Sequence, residues 1–443
     1  MKMLARRLCC VVGLAAALVF TSAPAHASFQ PTTATSGGIN TKVSPSPSEP
    51  AAQSTTPAPD AQLMIDRAVA YLISKQDASG GWNISPDRPA FPAITALALQ
   101  GLLGPGFSIP SAQDPKSREH EQAIRRAVSF LIAKQQPDGG IYDRLLASYN
   151  TAISVAALAR VSTPEAQAAV KRALPFLRAL QNGEDARDIG EIRESQAVGP
   201  DHPFYGGVGY GRSGRPDLSN LGWWMEAMHA AGVESSDPAF QRALVFLRRT
   251  QMVERVENER GETVVVNDMA YARGSTQGGF IYATGDSKEN AGQGQSFAGM
   301  VEETLSDGTV ASRLRAYGSM TYSGFKSYMY AGLTKDDPRV LAAFEWIRRN
   351  YTVDENPGLG TDGMYYYYVV FARALGEFGA PTIETIAPDG ASEPRDWRAD
   401  LVRRLAALQQ PDGSFKSVDD RWMENDPVLI TAYSLVALRE ATR

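Results

Sequence analysis

The sequence predicts an all-α protein built from six helical hairpins, and three observations carry that prediction. A block of the form Arg-Ala-x-x-aromatic-Leu-x-x-x-Gln recurs along the chain. A turn rich in glycine follows the best-formed blocks. A strongly apolar run of helical length then follows each block. Self-similarity of this kind marks a repeat architecture, in which each unit covers the apolar face of its neighbour.

The first unit runs Arg67 to Gln76 and then Gly80-Gly81-Trp82; the second runs Arg126 to Gln135 and then Pro137-Asp138-Gly139-Gly140. The block returns at Arg172 to Gln181 and Arg242 to Gln251. A weaker copy, Ala342 to Ile347, has Tyr351 where Gln would stand. The last copy is Leu405 to Gln409 with Pro411-Asp412-Gly413-Ser414-Phe415. In each block apolar residues at i, i+3, i+4 and i+7 alternate with Arg, Lys and Gln, the pattern of an amphipathic helix. Glycine ends that helix because it tolerates a left-handed cap. The second helices, at 92–103, 149–161, 219–231, 319–331, 363–375 and 427–440, are far more apolar. Amphipathic helices alternating with apolar ones predict two concentric layers. Six hairpins can close into a toroid, which removes the ends that the alternative, an open solenoid, must cap.

The rest of the chain reads differently. Met1 to Arg7 carries three positive charges, Leu8 to Phe20 is apolar, and Ala25-His26-Ala27 offers small residues for cleavage. Residues 1–27 therefore read as a secretory signal peptide, too short in its apolar run to span a bilayer. Residues 28–60, rich in Pro, Ser, Thr and Ala, read as a disordered linker, and 61–443 as the repeat domain. The expected localisation is exported, periplasmic or extracellular, with no integral membrane span after cleavage. Net charge is −5 over 443 residues, and loss of Lys2, Arg6 and Arg7 makes it −8. Such a balance argues against a nucleic-acid partner. Cys9 and Cys10 are the two cysteines, so the cleaved chain has no thiolate nucleophile and no Cys-ligated metal.

The block from Arg67 to Gln76 with Gly80 and Trp82 resembles the QW repeat of the terpenoid cyclase and protein prenyltransferase superfamily, the prenyltransferase/squalene oxidase repeat of squalene cyclase-like proteins. The match is complete in the first unit, while Ile141 and Phe415 replace the Trp in the second and last. The resemblance implies an (α/α)6 toroid with a central cavity. It also implies that Gln76, Trp82, Gln135, Gln181, Gln251, Gln409 and Phe415 are scaffold, the Gln capping helix ends and stacking on the aromatic residue.

The superfamily's reactions each need a residue set, and the sequence lacks them. The Asp-x-Asp-Asp acid of class II cyclases does not occur; Ser417-Val418-Asp419-Asp420 comes nearest and reads as a solvated turn. Asp336-Asp337-Pro338 does not complete an Asp-rich magnesium site and reads as a helix start. The Asp/Cys/His zinc site has no cysteine, and His120, His202 and His229 are widely spaced. No metal site and no cofactor are expected.

What remains is an asymmetry. The apolar helices of units one, two and six are small and aliphatic, whereas those of units three to five carry Trp223, Trp224, Tyr317, Tyr322, Tyr365 to Tyr368 and several charges. Units three and four also hold the long insertions 183–216 and 252–316. Trp223, Glu226, His229, Tyr317, Tyr322, Lys326, Tyr366 and Arg373 are therefore the candidate ligand-binding residues, with the catalytic residues unassigned. Aromatic faces suit an isoprenoid chain or a sugar ring, and Lys326 or Arg373 an acidic group. The expected partner is a small-molecule, lipid or glycan ligand. Three alternatives stand beside simple binding: a divergent terpenoid cyclase, a polysaccharide lyase using His202, Tyr205, Arg212 and Asn220, and an envelope interaction scaffold.

Overall fold

Short polar residues start most of the helices. Asp60 accepts a hydrogen bond from the Leu63 amide at 3.0 Å and begins α1 (Ala61–Lys75). Thr163, Asp237, Asp337 and Asp396 do the same for α5 (Pro164–Ala179), α7 (Pro238–Thr250), α9 (Pro338–Arg349) and α11 (Trp397–Leu408). With α3 (Pro115–Ala133) these form the outer layer. The computed structural model describes residues 59–443 apart from 84–87, 105–114, 187–194 and 211–214. The signal-peptide reading, and nearly all of the linker, lie outside the described residues.

The inner layer is α2 (Pro92–Leu103), α4 (Ala147–Leu158), α6 (Leu218–Ala230), α8 (Gly318–Tyr330), α10 (Met364–Phe378) and α12 (Pro427–Ala441). Their bounds fall within a few residues of the apolar runs read from the sequence. Every residue of α2 is buried, which is why no polar face interrupts it. Each inner helix packs on the next, and α12 packs on α2. The ring is closed. The open solenoid is thereby ruled out, and the (α/α)6 toroid stands.

The repeat glutamines join neighbouring units. Gln76 Nε2 donates to the Gly80 carbonyl at 2.8 Å in its own turn and to Ala123 of α3 at 2.9 Å. Gln135, Gln181 and Gln251 repeat this double bond to Gly139 and Ala169, Gly206 and Ala239, and Gly278 and Arg339. Gln409 closes the circle by donating to Met64 of α1 at 2.8 Å. Tyr351, standing where the fifth Gln would be, reaches the next outer helix by a different route: its hydroxyl donates to Asp400 of α11 at 2.9 Å. The turn glycine is required for geometry. Gly206 has φ +80°, and a Cβ there would lie 1.9 Å from the Arg242 carbonyl oxygen of the next outer helix.

The long insertion of unit four is more ordered than a plain loop. It contains two antiparallel hairpins, β1 (Arg255–Glu257) with β2 (Thr263–Val265) and β3 (Met300–Thr304) with β4 (Val310–Leu314). A third hairpin, β5 (Ile383–Ile386) with β6 (Ser392–Arg395), joins α10 to α11. Short strands carry little periodicity, so the sequence did not reveal them. Trp82 is fully buried, and its indole donates to the Leu72 carbonyl at 2.7 Å. Trp82→Ala is expected to lower stability by about 3–5 kcal/mol, measured by denaturant unfolding.

Candidate functional site

All six inner helices run the same way along the ring, so their N-terminal ends share one face and their C-terminal ends the other. The two ends differ in chemistry. At the C-terminal end lies an open cavity of about 400 Å³. Its lining includes Arg160, Glu226, His229, Tyr330, Arg373, Glu377, Arg439, Glu440 and Arg443, drawn from near the ends of α4, α6, α8, α10 and α12.

Beneath this cavity three charged side chains are buried together. Glu226 of α6 accepts from Lys326 Nζ of α8 at 2.5 Å and pairs with Arg373 Nη1 of α10 at 2.5 Å. Arg373 also donates to Gln100 of α2 at 2.5 Å. Burial alone would raise the Glu226 carboxyl, but Arg373 and Lys326 together hold it below the usual range. Burial lowers the Lys326 ammonium despite its partner. One carboxylate thus serves two buried cations and ties three inner helices together.

Trp223 separates the two ends. On one side its ring faces Arg373 at 5.5 Å and Lys326 at 6.0 Å. On the other it meets Tyr149 at 6.4 Å and Tyr366 at 6.2 Å. Beyond it, toward the N-terminal end, Tyr149 also contacts Tyr210 at 6.0 Å, and Tyr366 contacts Tyr433 at 6.4 Å. Tyr149 and Tyr366 are half-buried, and Tyr210 keeps 38% of its surface exposed, while burial pushes all three hydroxyls up. The hydroxyls lie deep while part of each side chain meets solvent.

Two buried carboxyls stand at this aromatic end. Asp217 starts α6 and accepts from the backbone and side-chain nitrogens of Asn220, each at 2.9 Å. Burial raises its carboxyl, outweighing Arg215 and Asn220. Glu424 accepts from the Tyr365 amide at 3.0 Å and the Tyr366 amide at 2.9 Å, at the N-terminus of α10. Burial pushes it up to about 7, against those amides and with help from Asp419. Both carboxyls cap inner helices, and both have reason to carry a proton more readily than an exposed acid.

The eight residues proposed from sequence are therefore distributed. Glu226, His229 and Arg373 line the charged cavity, Lys326 lies behind Glu226, and Trp223 is the divider. The His229 ring stacks on Tyr330 at 4.2 Å. Tyr366 belongs to the aromatic end. Tyr317 precedes α8 and is buried near that end, and Tyr322 packs edge-on against Tyr367 in the core. The aromatic cluster is wider than units three to five, since Tyr149 and Tyr433 come from units two and six. His202 and Tyr205 share a backbone turn bond, the Tyr205 amide donating to the His202 carbonyl at 2.9 Å, but no side-chain hydrogen bond or ring contact joins His202, Tyr205 and Asn220 among the described residues, and Arg212 lies outside them.

Sequence reasoning missed Asp217 and Glu424. The string Asp217-Leu218-Ser219-Asn220 shares only its first residue with Asp-x-Asp-Asp, so a motif search passes over it. A short polar residue directly before an apolar helix was the available signal. Asp419 is a turn residue, accepting from the Arg421 amide at 2.7 Å, and Asp337 caps α9. Among the described residues no group of His, Cys, Asp or Glu could hold a metal ion.

Residues 111–264 match the family model described as the squalene-hopene cyclase C-terminal domain. This stretch is similar to the superfamily that the repeats suggested. A drimenyl diphosphate synthase of Streptomyces showdoensis is 33% identical over 79 residues, 18% of this chain and 13% of that enzyme's length. A type II terpene cyclase of Scytonema, in complex with merosterolic acid A, aligns at 14% identity with a TM-score of 0.43, covering 86% of this chain and 96% of the other. An inactive variant of an α-1,6-mannanase from a Salegentibacter species aligns at 9% identity and 0.48, covering 86% and 98%.

Two measurements check this geometry. Glu226→Gln leaves two buried cations without a counter-charge and is expected to cost about 3–5 kcal/mol in denaturant unfolding. Glu424 binds its proton more tightly folded than unfolded. The stabilisation it gives is complete below the unfolded value of 4.5 and is lost as pH rises through about 7. The melting temperature of the wild type should therefore fall between about pH 5 and pH 8 by more than that of Glu424→Gln.

Proposed function

We propose that the chain is an exported, terpenoid cyclase-like toroid that binds an isoprenoid-like ligand at the aromatic end of its ring. The observation that carries this reading is the cluster of Tyr149, Tyr210 and Tyr366, partly accessible around deep hydroxyls. Exposed apolar residues precede two of the inner helices on this face: Leu145 and Leu146 before α4, and Trp422 and Met423 before α12. Apolar residues around an aromatic interior favour a hydrocarbon chain over a sugar, whose hydroxyls would need partners that such a rim lacks. Export rests on the charge, apolar and small-residue pattern of 1–27.

A second reading, a divergent cyclase, is favoured by Glu424. A carboxyl pushed up to about 7, beside aromatic rings that meet edge-on and tilted, is a candidate acid for protonating an alkene.

Titration with polyprenyl alcohols of graded length, followed by tryptophan fluorescence, tests the first reading. Binding is expected to weaken about tenfold in Tyr210→Ala and Tyr366→Ala, close to 1.4 kcal/mol. Neutral oligosaccharides are expected not to bind. Saturable binding of the sugars with none of the polyprenols would overturn the assignment. For the second reading, a cyclised product formed by the wild type and lost in Glu424→Gln is the expected result; no product from any polyprenyl substrate would remove it.

A further inference from the structure

The charged end of the ring holds a feature that the isoprenoid reading leaves unused. Two guanidinium groups converge there on one residue, Gly104, directly after α2. Arg160, just past α4, donates from Nη2 to the Gly104 carbonyl at 3.0 Å. Arg439, in the last turn of α12, donates from Nε to the neighbouring Gly101 carbonyl at 3.3 Å. Its guanidinium carbon lies 3.1 Å from where a Cβ on Gly104 would stand, a contact tight enough that a side chain there would displace the guanidinium by a few tenths of an ångström. Neither arginine makes a salt bridge among the described residues.

Like charges are costly to hold together, half-buried, without a counter-ion. Burial holds the Arg160 guanidinium below its ordinary range, and the charge of Arg373 adds to this against the opposing pull of Glu440 and Glu226. Burial does the same to Arg439, outweighing the charge of Asp66. Of the carboxylates nearby, Glu377 is exposed in the cavity lining and Asp66 acts on Arg439 without a salt bridge, and the others are shared with further cations. Glu226 serves Lys326 and Arg373, and Glu440 lies 3.4 Å from Arg443 and 4.0 Å from Arg373. The C-terminus of α2 contributes roughly half a negative charge, which offsets part of one guanidinium. Capping α2 uses one of five N–H donors on each arginine, so most of the fork on each remains for another acceptor.

We propose that Arg160 and Arg439 form a clamp for an oxyanion, a phosphate or carboxylate group, in the cavity at the C-terminal end of the ring. Paired guanidiniums present planar donor forks that match such a group, and its charge would give each arginine the direct ion pair it lacks among the described residues. The cavity of about 400 Å³ leaves room for more than a lone ion. Trp223 and the triad of Glu226, Lys326 and Arg373 lie between this site and the aromatic end. The two sites are therefore at opposite ends of the ring and are tested by different ligands.

The test uses the full chain, titrated with inorganic phosphate at constant ionic strength, with chloride as compensating salt. Wild type is expected to show saturable heat of binding and a rise in melting temperature that chloride does not give. Arg160→Gln/Arg439→Gln is expected to weaken phosphate binding at least tenfold while leaving polyprenyl alcohol binding unchanged. Should that variant not fold, Gly104→Ala, whose methyl would push Arg439 aside, is expected to weaken phosphate binding in the same direction. Glucose 6-phosphate and glucuronate separate the sources of the group. Tighter binding of either than of inorganic phosphate supports an oxyanion carried on a larger molecule, and equal binding supports a free ion. No saturable effect beyond chloride, or an effect undiminished in a folded variant, overturns the clamp.

Discussion

The ring depends on one recurring interaction, the double hydrogen bond of a side-chain amide between its own turn and the next outer helix. A single NH₂ group satisfies two carbonyls that belong to different units, so neighbouring hairpins cannot shift without breaking both. The positive-φ glycine of each turn brings the backbone close enough for this to happen. Where the amide is missing, the Tyr351 hydroxyl spans the same gap to a carboxylate. The requirement is a reach and a donor at that position rather than a particular residue.

Inside this frame the helices are almost wholly buried, and charge is admitted only where it is compensated. Glu226 illustrates the rule, since its two cations come from different helices and it is itself kept ionised by them. Such a triad gives little net stability compared with well-packed apolar residues. It does, however, fix the relative depth of α6, α8 and α10. Trp223 contacts both the buried cations and the tyrosines, so it lies where the charged and aromatic ends meet.

The architecture was legible in the sequence because repeats announce themselves several times over. Gln76 and Gln135 could each be read alone, and their agreement settled the fold class. The interior was less legible. Burial of an inner helix on all sides erases the periodicity that would say which face points inward, so Tyr322 and Tyr366 looked equivalent although one lies in the core and the other at the aromatic end. Arg160 and Arg439 carry no motif in the sequence. They come together only because the ring brings the ends of α4 and α12 to the end of α2. A residue pair 279 positions apart in sequence has no local signature.

The bond from Gln409 to Met64 joins residues 345 positions apart, at the seam where the last unit meets the first. As the chain is synthesised, α1 and α2 are made first but acquire their final neighbours last. Until α12 arrives, the apolar flank of α2 must stay exposed or be covered by something temporary. Folding therefore has a high contact order at this one junction, and its slow step is closure. The same adjacency brings the beginning and end of the ring together, so a circular permutation that opens the turn between β5 and β6 would keep every inner-helix neighbour. It would move the seam, and the late-closing junction would move with it.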